Sequence, residues 1–301
     1  MKRVATLANA AERSAVEVSG ASPPSPSPTI GRILEDSGRL SGADVERILA
    51  DQAARGGEFG AVGLRLGLLA PQDIQFALAR QYRYEYLSDT AQAPAPELVS
   101  AFQPFSPVAE ALRHLRSQLT LRWLRPAATP PCLAITGIGR GDGRSFIAAN
   151  LAVMFAQTGL QTLLVDADLR APALHRLFRV DNRLGLSSLL AGRGAGEAVV
   201  RIAGLSALCV LPSGPVPPNP QELLSQPLLA DQFRALEQHF QVLIVDSSAA
   251  ASGADAEFVA SAAGAALIVT RQDITPLADV QAFHGALQAI GIPVLGAVVN
   301  Q

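Results

Sequence analysis

The chain has 301 residues, of which 49% are hydrophobic, so it has ample apolar material for one or two globular domains. Its 24 basic and 26 acidic residues give a formal net charge of -2, which excludes a general electrostatic attraction to nucleic acid or to an anionic membrane. Because no apolar run is long enough to span a bilayer or to form a signal peptide, we expect a cytoplasmic protein that reaches the membrane only through a partner.

The first 87 residues predict a disordered lead-in followed by a small helical domain. Residues 1–28 end in SGASPPSPSP, and such a Pro- and Ser-rich stretch is typical of flexible chain. Residues 29–87 contain an internal repeat, in which residues 30–52 align with residues 59–81. The shared positions, all 29 residues apart, include Gly31 and Gly60, Gly38 and Gly67, Leu40 and Leu69, Leu49 and Leu78, and Gln52 and Gln81.

Each copy of the repeat predicts two helices separated by a glycine and a capping Ser or Pro. The pattern resembles the N-terminal domain of type II secretion ATPases, some of which bind cyclic di-GMP through an Arg-Leu-Gly opening of each copy. The openings here are TIG and EFG, without the arginine. We therefore favour a docking or spacer role for this domain over ligand binding.

A tyrosine-rich stretch and a linker precede the larger domain. The stretch YRYEYL contains Tyr82, Tyr84 and Tyr86, the three tyrosines of the chain, and predicts an amphipathic strand or loop that buries alternate rings. Residues 88–107 are polar and contain several prolines, which predicts a linker. A helix with the sequence VAEALRHLRSQLTLRWL then opens a domain over residues 108–301.

The larger domain alternates apolar strand-like runs with helical stretches. The runs are CLAIT, QTLLVD, ALCVLP, QVLIVD, AALIVT and PVLGAVV. This alternation predicts an α/β fold with a parallel sheet covered by helices on both faces. Ligands of such sheets bind at the carboxyl ends of the strands.

Two kinds of polar segment fall at those strand ends. GRGDGRSF follows the first strand and precedes a helix, which predicts a phosphate-binding P-loop whose backbone N–H groups and helix N-terminus hold an anion. Asp166 and Asp168 follow the second strand, and Asp246 ends the strand QVLIVD. Carboxylates beside a phosphate loop are what phosphoryl transfer needs, because they bind Mg²⁺ and accept a proton from the attacking hydroxyl.

With these motifs, residues from about 105 to 301 resemble a bacterial tyrosine kinase of exopolysaccharide biosynthesis, of the type associated with chain-length determinants. The resemblance rests on the P-loop, on LLVDADLR and on the strand ending in Asp246. PSGPVPPNPQELL, VTRQDIT and GAVVN resemble further segments of the family. The family implies a P-loop domain that uses ATP and Mg²⁺ to phosphorylate tyrosine.

The resemblance also implies the roles of individual residues. The predicted cofactor-binding residues are Gly139, Gly141, Asp142, Gly143, Arg144, Ser145 and Asn300, of which Asn300 either faces the base or forms a structural turn. The predicted Mg²⁺ ligands, direct or through water, are Ser145, Asp168 and Asp246. The predicted catalytic residues are Arg144, Asp166, Asp168 and Asp246, with Asp166 and Asp168 completing the metal shell or accepting the proton.

The helix before the sheet carries a further match. Glu110, Arg113 and Arg116 reproduce the family's Glu-x-x-Arg-x-x-Arg oligomerisation motif, and their spacing places them along one helical face. The resemblance therefore implies self-association into a ring. It also implies a membrane chain-length determinant (Wzz-like) protein as partner, without nucleic acid and without insertion of this chain into the membrane.

Three departures from the family leave other functions open. Arg144 stands where the family has lysine, no tyrosine follows Tyr86, and DSSAA replaces a segment that usually contains a threonine and prolines. Since Lys2 is the only lysine, Arg144 agrees with a general use of arginine in this chain. The first alternative is an ATP-gated scaffold with little transfer activity. The second, a partitioning-type ATPase, is disfavoured because Gly139 occupies the position of that group's signature lysine.

Overall fold

The structure is a computed structural model that describes residues 29–81, 87, 94–125, 131–193 and 198–301. These residues belong to two compact units, one helical and one built on a sheet, with the division between Tyr86 and Leu87. The predicted lead-in and the stretch with Tyr82, Tyr84 and Tyr86 lie outside the described residues. In the part of the chain that is described, no helix is both long and apolar enough to cross a bilayer.

The N-terminal unit consists of two similar helix pairs. Its helices are α1 (Ile30–Asp36), α2 (Gly42–Arg55), α3 (Phe59–Arg65) and α4 (Pro71–Gln81). The first helix of each pair ends at an equivalent glycine, Gly38 with φ of 69° and Gly67 with φ of 66°. Asp44 and Asp73 cap the second helices equivalently, because each carboxylate accepts the backbone N–H three residues earlier. The two copies of the repeat thus fold alike.

The larger unit is a seven-stranded sheet in the order β3-β4-β2-β5-β1-β6-β7. Its strands are β1 (Cys132–Gly137), β2 (Thr162–Asp166), β3 (Val200–Arg201), β4 (Leu208–Leu211), β5 (Val242–Asp246), β6 (Ala266–Arg271) and β7 (Val294–Asn300). All neighbours pair in parallel except β3, which runs antiparallel to β4. The α/β class predicted from the sequence is confirmed. The short strand β3 was not predicted.

Helices cover both faces of this sheet, as predicted. They are α5 (Val99–Phe102), α6 (Pro107–Leu119), α7 (Arg144–Ala156), α8 (Leu174–Leu177), α9 (Leu186–Leu190), α10 (Pro220–Leu224), α11 (Leu228–Glu237), α12 (Asp255–Ala263) and α13 (Leu277–Ala289). A single π-helical turn, Thr120–Leu124, extends α6, and a short 3₁₀ turn, Ala250–Ser252, follows β5. Successive residues of β5 point to opposite faces, so Ile244 belongs to one hydrophobic core and Leu243 and Val245 to the other.

Part of the predicted linker belongs to the sheet unit. Leu98 is fully buried, the Ser100 N–H donates to Asn150 Oδ1 at 2.8 Å, and Gln157 Nε2 donates to the Ser100 carbonyl at 2.9 Å. Asn150 and Gln157 lie on and just after α7, so the segment around α5 is fixed against that helix. The sequence of the linker did not indicate this, because its partners are about 50 residues further along the chain.

Candidate functional site

The predicted site residues meet at the carboxyl ends of three adjacent strands. β1 lies between β5 and β6, and β5 lies between β1 and β2. The register places Asp246 opposite Ile135 on one side and opposite Asp166 on the other. The P-loop between β1 and α7 therefore lies beside both carboxylates, as expected from the sequence.

Asp142 and Asn300 fix the shape of the P-loop. The buried Asp142 carboxylate accepts the N–H groups of Ile138 at 3.1 Å and Gly139 at 2.7 Å, and the Asp142 carbonyl accepts Asn300 Nδ2 at 3.1 Å. Gly143, with φ of 98°, passes so close to Asn300 that a Cβ atom would lie 2.1 Å from Nδ2. Only glycine fits at this position.

These contacts separate the loop into two parts. The Gly139 N–H donates to Asp142, and its carbonyl accepts a hydrogen bond from Arg144, so the backbone of Gly139 is used within the loop itself. Helix α7 begins at Arg144, and the first N–H groups of a helix have no partner within it. Phosphate binding by N–H groups is therefore expected from Gly141 to Ser145 rather than at Gly139.

The Arg144 guanidinium lies inside the loop. Its Nε donates to the Ser247 carbonyl at 3.0 Å, and its Nη1 donates to the Gly139 carbonyl. The residue is 7% exposed. Arg144 thus joins the P-loop to the segment after β5 through two donors that point in different directions, a geometry that the single ammonium of lysine does not share.

Asp246 is buried without a hydrogen-bond partner. It is 0% exposed, and neither carboxylate oxygen accepts a hydrogen bond from any residue that the structure describes. Burial, reinforced by the nearby Asp166, raises the pKa of Asp246 well above the usual value for an aspartate, 3.8. The Ser145 side chain is near enough to lower this pKa, but it makes no hydrogen bond of normal geometry to either oxygen.

The Asp166 carboxylate, in contrast, accepts hydrogen bonds from backbone N–H groups. Its Oδ2 accepts the N–H groups of Ala173 at 3.1 Å and Leu174 at 3.0 Å, and its Oδ1 accepts that of Asp168 at 3.3 Å. Burial raises the pKa of Asp166 to about 7, although the Leu174 N–H opposes the shift. Asp166 therefore shapes the turn that follows β2.

Asp168 presents one free carboxylate oxygen at the site. Its Oδ1 accepts the N–H groups of Arg170 at 3.1 Å and Ala171 at 2.9 Å. No hydrogen bond to Oδ2 comes from the described residues. With only 7% exposure, Asp168 combines a fixed orientation with an oxygen available to a ligand.

The oxygen atoms of the site fit Mg²⁺. Carboxylate and hydroxyl oxygens are its preferred protein ligands, and Asp246 offers a buried carboxyl group next to Ser145 that has no hydrogen-bond partner among the described residues. The described residues contain no group of three or more His, Cys, Asp or Glu side chains that would hold a metal alone. Phosphate oxygens and water would therefore complete the coordination of Mg²⁺ here, as Mg²⁺ usually requires.

The three predicted oligomerisation residues lie on α6, apart from the carboxylates. Glu110 forms an ion pair with Arg113, which also donates to the Pro104 carbonyl at 2.6 Å. Arg116 donates to the Met154 carbonyl on α7 at 3.3 Å. The Glu110 side chain is 71% exposed, so it is the member of the motif most available to another molecule.

Sequence reasoning missed two contributions to the site. Thr275 donates its hydroxyl to Asp142 Oδ1 at 3.1 Å and so supports the P-loop from the turn after β6. Arg170 forms an ion pair with the fully buried Asp255. The position of Arg170 two residues after Asp168 was a signal for its importance. Nothing in the sequence singled out Asp255 or Thr275.

Comparison with known proteins identifies relatives of the sheet unit. Residues 133–301 match the family model of the CobQ/CobB/MinD/ParA nucleotide binding domain. The tyrosine-protein kinase YwqD of Bacillus subtilis is 36% identical over 55% of this chain and 70% of its own length. The putative tyrosine-protein kinase CapB of Staphylococcus aureus is 31% identical over 66% of this chain and 86% of its own length.

Other relatives are longer than this chain. The putative tyrosine-protein kinase EpsB of Ralstonia solanacearum is 32% identical over 78% of this chain, but the chain spans only 32% of the length of EpsB. Among solved structures, the chimerical protein CapA2B2 has a TM-score of 0.63 at 31% identity and covers 73% of this chain and 96% of its own. The kinase domain of Escherichia coli tyrosine kinase ETK has a TM-score of 0.65 at 29% identity, covering 71% and 82%.

Proposed function

The chain belongs to the CobQ/CobB/MinD/ParA nucleotide-binding family and, within it, to the bacterial tyrosine kinases, and from this we propose that it transfers phosphate from ATP to tyrosine in exopolysaccharide production. One observation carries the proposal: the buried Asp246 carboxylate, without a hydrogen-bond partner among the described residues, lies beside the P-loop and Ser145. A buried charge without a partner is costly in a structural role, and a metal–phosphate complex would satisfy it.

Each part of the site has a task in this reaction. The N–H groups from Gly141 to Ser145 and the N-terminus of α7 bind the β and γ phosphates. Ser145 and Asp246 would hold Mg²⁺ directly, Asp168 would hold it through a bound water molecule, and the ion would offset negative charge on the phosphate oxygens. The free oxygen of Asp168 accepts the proton of the tyrosine hydroxyl. At the same time the tyrosine oxygen bonds to the γ-phosphorus, and the bond between the γ-phosphorus and the leaving oxygen of ADP breaks.

Arg144 has to exchange partners during nucleotide binding. Its guanidinium now donates to the Gly139 and Ser247 carbonyls, and it reaches a γ-phosphate only by giving up at least one of them. This observation favours a second function, an ATP-gated scaffold. In such a scaffold, nucleotide binding would change the contact between Arg144 and the segment after β5, while phosphate transfer to tyrosine would be slow. We place the kinase first because the carboxylates and the hydroxyl of the site are all present.

For partners, we propose self-association through Glu110, Arg113 and Arg116 and recruitment to the inner face of the membrane by a chain-length determinant protein. The similarity to the chimera CapA2B2, whose name combines A and B parts, supports such a partner.

For the helical unit we propose a docking role. A groove of about 930 Å³ there, lined in part by Ile30, Leu49 and Phe59, would accept an apolar side chain.

The test is mass-spectrometric mapping of phosphotyrosine after incubation of the purified chain with Mg·ATP, alone and with the cytosolic segments of its chain-length partner. Asp246→Asn is the matched control, because it keeps the shape of the side chain and removes its charge. The proposal predicts phosphate on Tyr82, Tyr84, Tyr86 or the partner only with the wild-type chain. ATP binding without phosphotyrosine in either mixture would support the scaffold instead.

A further inference from the structure

Two loops lie beside the carboxylates proposed to bind the metal, Asp168 and Asp246, and the loops are joined at both ends. The loop with Asp168 leaves β2, and the loop that follows Asp246 leaves the adjacent β5. At the near end, Asp166 and Asp246 are in register, and the Ala167 N–H donates to the Asp246 carbonyl at 2.8 Å. At the far end, Arg170 and Asp255 close the gap between the loops.

The Arg170–Asp255 contact is a two-point ion pair. Arg170 Nε donates to Asp255 Oδ2 at 2.7 Å, and Nη2 donates to Oδ1 at 3.0 Å. The Asp255 side chain is 0% exposed and that of Arg170 is 35% exposed. A two-point pair with a buried carboxylate fixes the guanidinium in both position and orientation.

The neighbourhood is shaped around this pair. Asp255 is the first residue of α12, where a carboxylate is favoured by the helix dipole. Gly253 has φ of 137°, and a Cβ atom there would lie 3.4 Å from Arg170 Nη2 and 3.3 Å from Gln221 Oε1. The loop after β5 thus bends closely around the guanidinium. The hydrogen bonds to Asp255 also raise the pKa of Arg170 above its ordinary value.

The same residue orients Asp168. The backbone N–H of Arg170, with that of Ala171, holds Asp168 Oδ1 and leaves Oδ2 free. Because the side chain of Arg170 is fixed to Asp255, a movement of α12 or of the loop after β5 would change the turn that presents Asp168.

We infer that the Arg170–Asp255 ion pair is a positioning element that fixes Asp168 relative to Asp246, so that both carboxylates serve one metal–nucleotide complex. This rests on the proposed function. On this inference, Arg170 and Asp255 increase the affinity for the metal as well as holding the two loops together. Phosphate binding by the P-loop N–H groups is independent of the pair.

The test measures binding rather than activity, with Mn²⁺ as the probe and electron paramagnetic resonance in the presence of ADP. Arg170→Gln is expected to weaken Mn²⁺ binding about tenfold, since loss of a residue that orients a metal ligand costs about 10–100-fold in affinity. Affinity for ADP without metal, measured in EDTA, should change less than about twofold, because the P-loop is intact. Arg170→Lys should recover part of the loss and Asp255→Asn should reproduce it.

The controls separate this role from simple stabilisation. Arg234→Gln breaks an exposed Arg–Asp pair on α11, with side chains 70% and 58% exposed, and should leave Mn²⁺ binding unchanged. In the folded Arg170→Gln chain, the backbone amides of residues 170 and 171 should exchange hydrogen faster than in wild type. If Arg170→Gln does not fold, Arg170→Lys and Asp255→Asn supply the comparison.

Two outcomes would overturn the inference, and they are distinguishable. If wild type binds Mn²⁺ with ADP and the Arg170 and Asp255 variants bind it equally well, the pair is only a structural tie and the proposed function stands. If wild type itself binds no Mn²⁺ with ADP, both the inference and the proposed function fail.

Discussion

Asp166 and Asp246 lie opposite each other at the ends of adjacent parallel strands, yet among the described residues only the Asp166 carboxylate is hydrogen-bonded. The Asp166 carboxylate accepts three backbone N–H groups, whereas the Asp246 carboxylate accepts none from the described residues. Both are fully buried. Since a buried carboxyl group without partners destabilises the fold, its presence at this position supports the proposal that it binds a metal–phosphate complex.

The first prediction concerns Asp246→Asn. Transfer of phosphate to tyrosine should fall at least about 100-fold, because a charged ligand of the metal–phosphate complex is lost. The unfolding free energy without nucleotide should stay equal or increase, because the Asp246 carboxyl must either take up a proton or bury a charge on folding at neutral pH, and the amide does neither. Enzyme kinetics and urea unfolding measure the two effects. A clearly less stable variant would show that Asp246 has a structural role.

The second prediction is a pH dependence of stability without metal or nucleotide. Burial raises the pKa of Asp166 from 3.8 to about 7, so between these values the folded state holds a proton that the unfolded state releases. The resulting stabilisation is fully present below pH 4 and is lost as the pH rises through about 7. The unfolding free energy should therefore fall over this range by roughly 1–4 kcal/mol. Asp166→Asn should reduce the slope but not remove it, because the pKa of Asp246 is also raised, and an unchanged slope in that variant would refute the assignment.

The third prediction compares two glycines with positive φ. Gly143→Ala places a Cβ atom 2.1 Å from Asn300 Nδ2, whereas Gly159→Ala, at φ of 86°, meets nothing within 4 Å. Gly159→Ala should cost only the backbone strain, about 1–2 kcal/mol. Gly143→Ala should lower the unfolding free energy by more than this and should also weaken ADP binding. Adding Asn300→Ala to Gly143→Ala should recover part of the lost stability, because it removes the atom that the new Cβ would meet. Equal stability losses in thermal unfolding would contradict the close contact.

The fourth prediction concerns Arg144→Lys. Lysine cannot donate to the Gly139 and Ser247 carbonyls as Arg144 does, and its compact ammonium fits between terminal phosphates. We expect transfer to increase about tenfold, equivalent to about 1.4 kcal/mol of barrier. Single-turnover measurements at saturating Mg·ATP provide the test. A decrease would mean that the site is adapted to arginine.

The fifth prediction concerns assembly. Glu110→Ala should leave the monomer as stable as wild type, because the side chain is 71% exposed and its pair with Arg113 lies on the surface. It should abolish the larger species that the proposal predicts for the wild-type chain in analytical ultracentrifugation with Mg·ATP. Asp231→Ala, which removes an exposed pair of the same spacing on α11, is the control and should assemble normally. Assembly of Glu110→Ala would exclude this face.

The sequence predicted what local patterns determine. Apolar runs ending in Asp166 or Asp246, and glycines between a strand and a helix, mark strand ends and the P-loop wherever the remaining chain lies. Strand β3 has only two residues and forms because β4 offers an edge, so no local pattern reveals it.

The remaining features depend on contacts distant in sequence. Arg170 and Asp255 are 85 residues apart, and the Asp142–Thr275 hydrogen bond joins residues 133 apart. The difference between Asp166 and Asp246 depends on which N–H groups the turn after β2 directs at each carboxylate. Such contacts arise only when the sheet brings loops together, so the sequence identified the carboxylates but not their separate roles.

The most direct test of the central claim is the fate of γ-labelled phosphate from Mg·ATP in a single reaction. The claim that this site phosphorylates tyrosine predicts label on tyrosine of the chain or its partner, formed faster than free phosphate and absent with Asp246→Asn. Label released only as inorganic phosphate, with none on tyrosine, would contradict it and make the protein an ATP-hydrolysing member of the same family.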